Sequence, residues 1–373
     1  MKVISLVPYK IFPAVTGGQK NIAIFNEYLS KQCSLVCVTV KSNSPSAASY
    51  PVLNIIEDGS LRYINPFNFF RLRRIIRSQQ ATHLIIEHPY WGWLGMMLKW
   101  STGIHLTVHS HNIESVRWRS LGKGWWWIMR WYEGMTHRNA DASFFITSED
   151  LDYAVRQYGV AAGKCIVISY GIERHSPPAA SERTLSRDIL RAKHNIPSDS
   201  RIILFNGTLS YAPNAEAIDS ILKWINPLLV SSGLKYRLLI CGRGLPEKYG
   251  GLKNIDNLIY AGFVEDIELY FKGADLFINP VNTGGGLKTK LVEAIGFDLA
   301  AVSSASGAAG VPAWVSGIKL KIVENDDWVG FAMAVKSALT EEMVSTTESF
   351  YQYFSWKNIA KRAVENISVK HER

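Results

Sequence analysis

Short apolar runs rich in Val, Ile and Phe recur along the chain at intervals long enough to hold a helix, the pattern of strands alternating with crossover helices in a parallel sheet. They read VISLV (3–7), SLVCVTV (34–40), THLIIEH (82–88), IHLTVHS (104–110), ASFFITS (142–148) and CIVISY (165–170). A stretch with two prolines and many small polar residues, GIERHSPPAASERTLS, interrupts them. The alternation then resumes with RIILFNG (201–207), YRLLICG (236–242), NLIYAG (257–262), ADLFINP (274–280), LAAVSS (299–304) and IKLKIV (318–323). Two doubly wound, Rossmann-like α/β domains are therefore expected at 1–172 and 200–351, with 173–199 as linker. Their ligands belong at the carboxyl ends of the strands, in a crevice between the domains. The closing segment FYQYFSWKNIAKRAVENI sets Phe354, Ile359, Ala363 and Ile367 near helical spacing with no strand after them. Residues 352–373 are thus predicted to form a terminal helix that returns to the first domain.

Length and composition narrow the picture. At 373 residues, 47% hydrophobic and 20% charged, the chain is too long for one small module and too apolar for wholesale disorder. No run approaches the roughly 20 apolar residues of a membrane-spanning helix, and the apolar stretch of MKVISLVPYK is too short for a signal-peptide core. The expected location is the cytoplasm. Cys33, Cys37, Cys165 and Cys241 are scattered, with no histidine at metal-ligand spacing beside them, so neither a disulfide framework nor a structural zinc is expected. Lys and Arg number 41 against 32 Asp and Glu, a net +9, which points to an anionic partner: phosphate, acidic lipid or nucleic acid.

Candidate chemistry sits after the strands. Gly17 and Gly18 stand in the loop after strand one, before the helix-like KNIAIFNEYLSK; they let a ligand approach the backbone, and a structural turn explains them as well. In ADLFINPVNTGGGLKTKLVEAIG a strand ends at Pro280, three glycines follow, and Leu287, Leu291, Ala294 and Ile295 mark a helix. Lys288 and Lys290 in its first turn oppose the helix dipole, which a bound phosphate rationalises; the alternative is a solvated face with a Lys290–Glu293 pair. ICGRGLP supplies another strand-end glycine loop, carrying Arg243, and no Walker P-loop occurs. VHSHNIES sets His109, His111, Asn112 and Glu114 at a strand end. His109 and His111 lack the further ligands a metal needs, so contact with a sugar or phosphate, or a satisfied structural role, is the expectation. Trp118, Trp125, Trp126, Trp127 and Trp131 lie among Arg117, Arg119, Lys123, Arg130 and Arg138, a composition suited to an anionic membrane surface or to an ordinary helix interface. No other segment supports a nucleic-acid partner.

Taken in order, the Gly17-Gly18 loop, HNIES, FNGTLSYAPNAEAI, ICGRG, YAGFVEDIELYFKGADLFINP and GGGLKTKLVEAIG resemble the GT-B glycosyltransferases of family four over most of the chain. The resemblance implies two Rossmann-like domains facing a central cleft and retaining, metal-independent transfer from a nucleotide sugar, with no other cofactor. The donor belongs mainly to the second domain and a glycan or lipid-linked acceptor to the first. Glu293 matches the second glutamate of the Glu-x7-Glu motif, which addresses the ribose. Gly285, Gly286 and Leu287, with Lys288 or Lys290, would hold the diphosphate; Phe263 and Val264 would lie by the base. His111 would touch the donor sugar near the reacting carbon, so His111 and Lys290 are the catalytic candidates, while Gly17 and Gly18 would meet phosphate or sugar. The sequence departs from the family pattern twice. Gly285 stands where the first glutamate belongs, and the Arg and Lys expected after the first strand of the second domain are replaced by Gly207-Thr208-Leu209-Ser210, with Asn214 following. Lys288, Lys290 and Arg243 would supply the missing charge. A nucleotide-sugar epimerase of the same architecture and an inactive nucleotide-sugar-binding scaffold are the alternatives.

Overall fold

The computed structural model describes residues 1–253, 255–342 and 344–368. It divides into two compact units, Met1–Gly171 with the C-terminal segment from Phe354, and Ile172–Tyr353.

Unit one is built on seven parallel strands, β1 (Lys2–Leu6), β2 (Ser34–Val40), β3 (Val52–Ile56), β4 (His83–Glu87), β5 (His105–Ser110), β6 (Ala142–Phe145) and β7 (Cys165–Val167), in the order β3-β2-β1-β4-β5-β6-β7. Apolar residues of the central strands, Ile4, Leu6, Leu84, Ile86, Leu106 and Val108, form its core; strands covered on both faces read as continuous apolar runs. The edge strand β3 escapes that reading, because Val52 to Ile55 are only half-buried and Asn54 breaks the run.

Helices α1 (Gly17–Ser30), α2 (Phe67–Ser78), α3 (Gly92–Thr102), α4 (Glu114–Ser120), α5 (Trp126–Asn139) and α6 (Ser148–Tyr158) connect the strands. Gly17 and Gly18 are not loop residues: they form the first turn of α1, which Thr16 and Gln19 close with a reciprocal capping box. The terminal helix Trp356–Ser368 packs on α1. Trp356 is buried against Tyr28 and Tyr170, in a space that exists because Gly171 has no side chain; a Cβ there would lie 2.5 Å from the indole. Of the segment expected as terminal helix, residues 369–373 lie outside the described residues.

Unit two carries six parallel strands, β8 (Arg201–Asn206), β9 (Tyr236–Cys241), β10 (Leu258–Gly262), β11 (Leu276–Asn279), β12 (Ala300–Ser304) and β13 (Leu320–Val323), ordered β10-β9-β8-β11-β12-β13. Phe205, Ile240, Ile278 and Val302 lie in its core. The stretch expected as a linker holds a fifteen-residue helix, α7 (Ala180–His194). Its inward face is Arg183, Ser186 and Leu190, too polar for apolar periodicity to register. Arg183 is 3.1 Å from Asp298 and Arg187 is 3.0 Å from Asp275. Among the described residues no helix is long and apolar enough to cross a membrane.

Candidate functional site

In each sheet the strand order reverses beside the first strand, between β1 and β4 in unit one and between β8 and β11 in unit two. The carboxyl ends of these strands flank the place where doubly wound sheets bind ligands, and most of the sequence candidates fall there.

In unit one the register sets Glu87 of β4 beside His109 of β5. Glu87 Oε2 is 3.0 Å from His109 Nδ1 and 2.7 Å from His111 Nε2, all three side chains being nearly inaccessible. Burial by itself would raise the Glu87 carboxyl, but the two imidazoles outweigh it and hold it well below the usual carboxylate range. Asn21 on α1 donates to His111 Nδ1 at 3.0 Å, which leaves the proton on Nε2 for Glu87. Burial, then the neighbouring His88 and His109, lower His111 to about 3, so its ring is neutral. Both ring nitrogens are therefore engaged within the protein.

His88 follows at φ 69°, a backbone region that costs a residue with a side chain about 1–3 kcal/mol. Its ring lies 4.4 Å from that of His111; Tyr9 Oη is 2.9 Å from Nε2 and Glu114 Oε1 is 3.5 Å from Nδ1. Burial acts to raise Glu114, and His88, Tyr90 and Arg117 together bring it to about 2. Glu133 accepts the backbone N–H groups of Glu114 and Ser115 at 2.9 and 3.0 Å and the Tyr158 hydroxyl at 2.6 Å; burial still pushes its carboxyl up to about 7. A Cβ at Gly18 would lie 3.7 Å from Tyr9 Oη, and none at Gly17 would meet anything within 4 Å, so the open end of α1 borders this group.

Glu87, His109 and His111 offer three ligand atoms within 4.8 Å of one another, a set that can hold a metal ion. The His111 contact is a hydrogen bond, whereas His109 Nδ1, 3.0 Å from the same oxygen, has no hydrogen-bond partner. Sequence reasoning missed Glu87, His88, Asn21 and Tyr9. THLIIEH carried the first two as ordinary strand residues, and only the β4–β5 register brings Glu87 to the histidines.

In unit two the glycine loops after β8, β9 and β11 converge. A Cβ at Gly242 would sit 1.7 Å from the Gly207 carbonyl oxygen, an approach only glycine allows. Asn214, on α8 (Ala212–Ser220), donates to Thr208 O at 2.9 Å and accepts from Lys290 Nζ at 2.9 Å. The same amine lies 4.5 Å from the centre of the Phe205 ring. Burial of this amine, with Lys288 adding repulsion, lowers it to about 7. Among the described residues no carboxylate lies within ion-pair distance of Lys290.

Gly284 and Gly286 have φ of 81° and 73°, so the loop turns its carbonyls onto Lys288 Nζ at 2.8 Å from Gly284, 3.0 Å from Gly286 and 3.3 Å from Gly285. The helix after β12's partner strand β11 begins later than its apolar stripe suggested. It spans Thr289–Gly296 with Lys288 as N-cap and buries Leu291, Ala294 and Ile295 but leaves Leu287 outside. Glu293 is half-buried, one turn after Lys290. The Arg243 guanidinium covers the exposed Phe263 ring at 3.7 Å, and Val264 is half-buried beside it. The second-domain candidates are thus gathered on one edge of one sheet. Phe205, buried under Lys290, was not among them, since its strand pattern already explained it as core.

Two family models match the chain. One described as Glycosyltransferase Family 4 covers residues 21–175, and one described as Glycosyl transferases group 1 covers residues 200–341. No curated protein matches. Among solved structures, HepE (Alr3699) from Anabaena in complex with UDP is 14% identical with a TM-score of 0.74, over 99% of this chain and 100% of that one. A glycosyltransferase from Rickettsia africae is 13% identical with a TM-score of 0.71, over 98% of each chain. Sucrose-phosphate synthase from Thermosynechococcus elongatus is 17% identical with a TM-score of 0.70, over 100% of both. The two parallel sheets with these likenesses define the GT-B class. Since one family model falls on each unit, the chain belongs to the GT-B glycosyltransferases of the family-four type.

Proposed function

We propose that this glycosyltransferase moves a sugar, with retention at the anomeric carbon, from a nucleoside diphosphate sugar to a polysaccharide, glycolipid or other glycan acceptor in cell-surface biosynthesis. The observation that carries the donor assignment is Lys290, an amine tucked away from carboxylates beside a glycine loop and a helix start. Such a cation wants an anion, and a diphosphate supplies one. HepE, of the same fold, has been crystallised with UDP-glucose.

In this reading the bond from the anomeric carbon to the diphosphate oxygen breaks as the acceptor oxygen bonds on the same face. The acceptor proton passes to the departing diphosphate, whose charge Lys290 and the Gly285–Leu287 backbone stabilise. Lys288 leaves the loop carbonyls to assist. Arg243, Phe263 and Val264 bracket the base, Glu293 the ribose, and Gly207 with Asn214 shapes the floor. No metal or other cofactor enters these steps. His111 is unit one's candidate for sugar contact, with Gly17 and Gly18 open to phosphate or acceptor. The protein works in the cytoplasm at the inner membrane face.

The test titrates uridine, guanosine and adenosine diphosphates and their sugars while following thermal stability. A ligand at 100 times its Kd adds about 2.7 kcal/mol. The expected result is a selective rise in Tm that Glu293→Ala abolishes; no rise with any member overturns the donor assignment. Gly285, in place of a glutamate, favours a second reading as a nucleotide-sugar-binding scaffold. Donor binding without transfer to any acceptor and without hydrolysis would establish it.

A further inference from the structure

Residues 59–140 contain eleven Lys or Arg and eight of the twelve tryptophans, but only three acids. Those acids, Glu87, Glu114 and Glu133, are each at most 1% exposed. This window therefore shows solvent no carboxylate side chain while carrying most of the net positive charge. The earlier sequence pattern caught only its last third.

The fold gathers the window onto one side of the first sheet, where α2 packs on α3, α3 on α5 and α5 on α4. Helix α2 follows β3, and α5 runs down to the amino end of the parallel strand β6, so the beginnings of both stand toward the carboxyl edge that carries Glu87 and His111. Apolar side chains crowd there in the open: Ile64 is 70%, Phe67 68%, Phe70 63%, Trp125 55% and Trp127 61% exposed. They stand on a braced scaffold. Trp91 Nε1 donates to Arg62 O at 3.2 Å and Trp93 Nε1 to Tyr63 O at 2.8 Å, fixing the turn into α2. Tyr132 of α5 accepts from Trp93 N and donates to Tyr90 O, both at 3.0 Å.

Rigidly displayed apolar side chains beside cations, with the window's three acids turned inward and the neighbouring exposed Glu57 paired with Lys41 and Arg71 at 2.7 and 3.7 Å, suit a surface that is negative and has hydrocarbon beneath it. A nucleic acid offers stacking to the aromatics but nothing to Ile64 or Leu121, which is 61% exposed.

We infer that unit one docks through the α2–α5 edge onto an anionic lipid bilayer, where a lipid-linked acceptor is met; only that last clause rests on the proposed transfer. The full-length protein should co-sediment with vesicles of phosphatidylcholine containing phosphatidylglycerol, and far less with phosphatidylcholine alone. Phe67→Ser with Phe70→Ser, and separately Trp125→Ser with Trp127→Ser, should each lower partitioning at least tenfold. Arg119→Glu with Lys123→Glu, which precede α5, should do the same at low salt, and 0.5 M salt should weaken vesicle binding by the parent protein. Nucleoside diphosphate titration of every variant, read by Tm, checks that each is folded with its donor site intact. Equal partitioning of parent and variants, no binding to anionic vesicles, or binding to duplex DNA in preference to vesicles would each overturn the inference. Vesicle binding without any nucleotide-induced rise in Tm would leave the docking intact and defeat the donor assignment instead.

Discussion

At the carboxyl edge of the first sheet, one carboxylate meets two imidazoles and an asparagine braces one of them, so carboxylate and imidazoles lie against each other out of water. At the same edge of the second sheet, a tucked-in amine meets an amide oxygen and a ring face, and a second amine is held by three loop carbonyls. The first arrangement is compensated only in part, since His109 Nδ1 and Nε2 and Glu87 Oε1 are buried without a hydrogen-bond partner. The second buries the Lys290 amine with no carboxylate within ion-pair distance among the described residues, and a buried charge left so costs stability. In the proposed transfer the same topology serves as scaffold in one unit and as donor receptor in the other.

The contrast is most directly broken at Glu87. Glu87→Ala leaves the buried His111 Nε2 proton without its acceptor, and loss of a hydrogen bond to a charged group costs about 1.5–3 kcal/mol, readable by denaturant unfolding. A cost under about 1 kcal/mol would mean this hydrogen bond does not hold the group. Lys290→Met should do the opposite to stability, leaving the ligand-free protein as stable or more so, while donor affinity falls by about 1.5–3 kcal/mol, roughly 10- to 150-fold. If the variant bound donor normally, the amine would not be the receptor.

The pH dependence sharpens the same point. Lys290 at about 7 lies below its ordinary 10.5, so from pH 7 to 10.5 the unfolded chain holds a proton that the folded chain does not. This group's contribution to stability therefore rises with pH across that window. A bound diphosphate favours the ammonium form, so binding above pH 7 takes up a proton and donor affinity should fall with pH, by at most about tenfold per unit. Calorimetry in buffers of different ionisation enthalpy checks the uptake; an affinity flat from pH 7 to 9 contradicts it. The smallest effect belongs to Arg243→Ala, which removes an exposed cation–π contact of about 0.5–1 kcal/mol. Donor affinity should change only a few-fold, by a nucleotide panel read in the same way.

The sheet strands were legible wherever both faces are covered, as in SLVCVTV and RIILFN, and illegible at β3, whose half-exposed edge carries Asn54. Helix α7 was hidden for a related reason, since it docks through arginines on Asp275 and Asp298 and not through an apolar stripe. The second unit's site was readable because glycines, lysines and Arg243 lie in short strand-end segments whose local pattern declares a loop. The first unit's was half-read: HNIES announced itself, while Glu87 and Asn21 belong to elements far away in the chain.

By itself, the sequence determined the alternation of strands and helices, the two-unit division, the family and the glycine loops, because each depends on residues within a few positions of one another. Tertiary structure alone decided that Glu87 closes on His109 and His111, that Asn214 reaches Lys290, and that aromatics of α2 and α5 share an edge. These depend on strand register and on which helices pack side by side, and both are settled by burial across the whole sheet and not by any local run of residues.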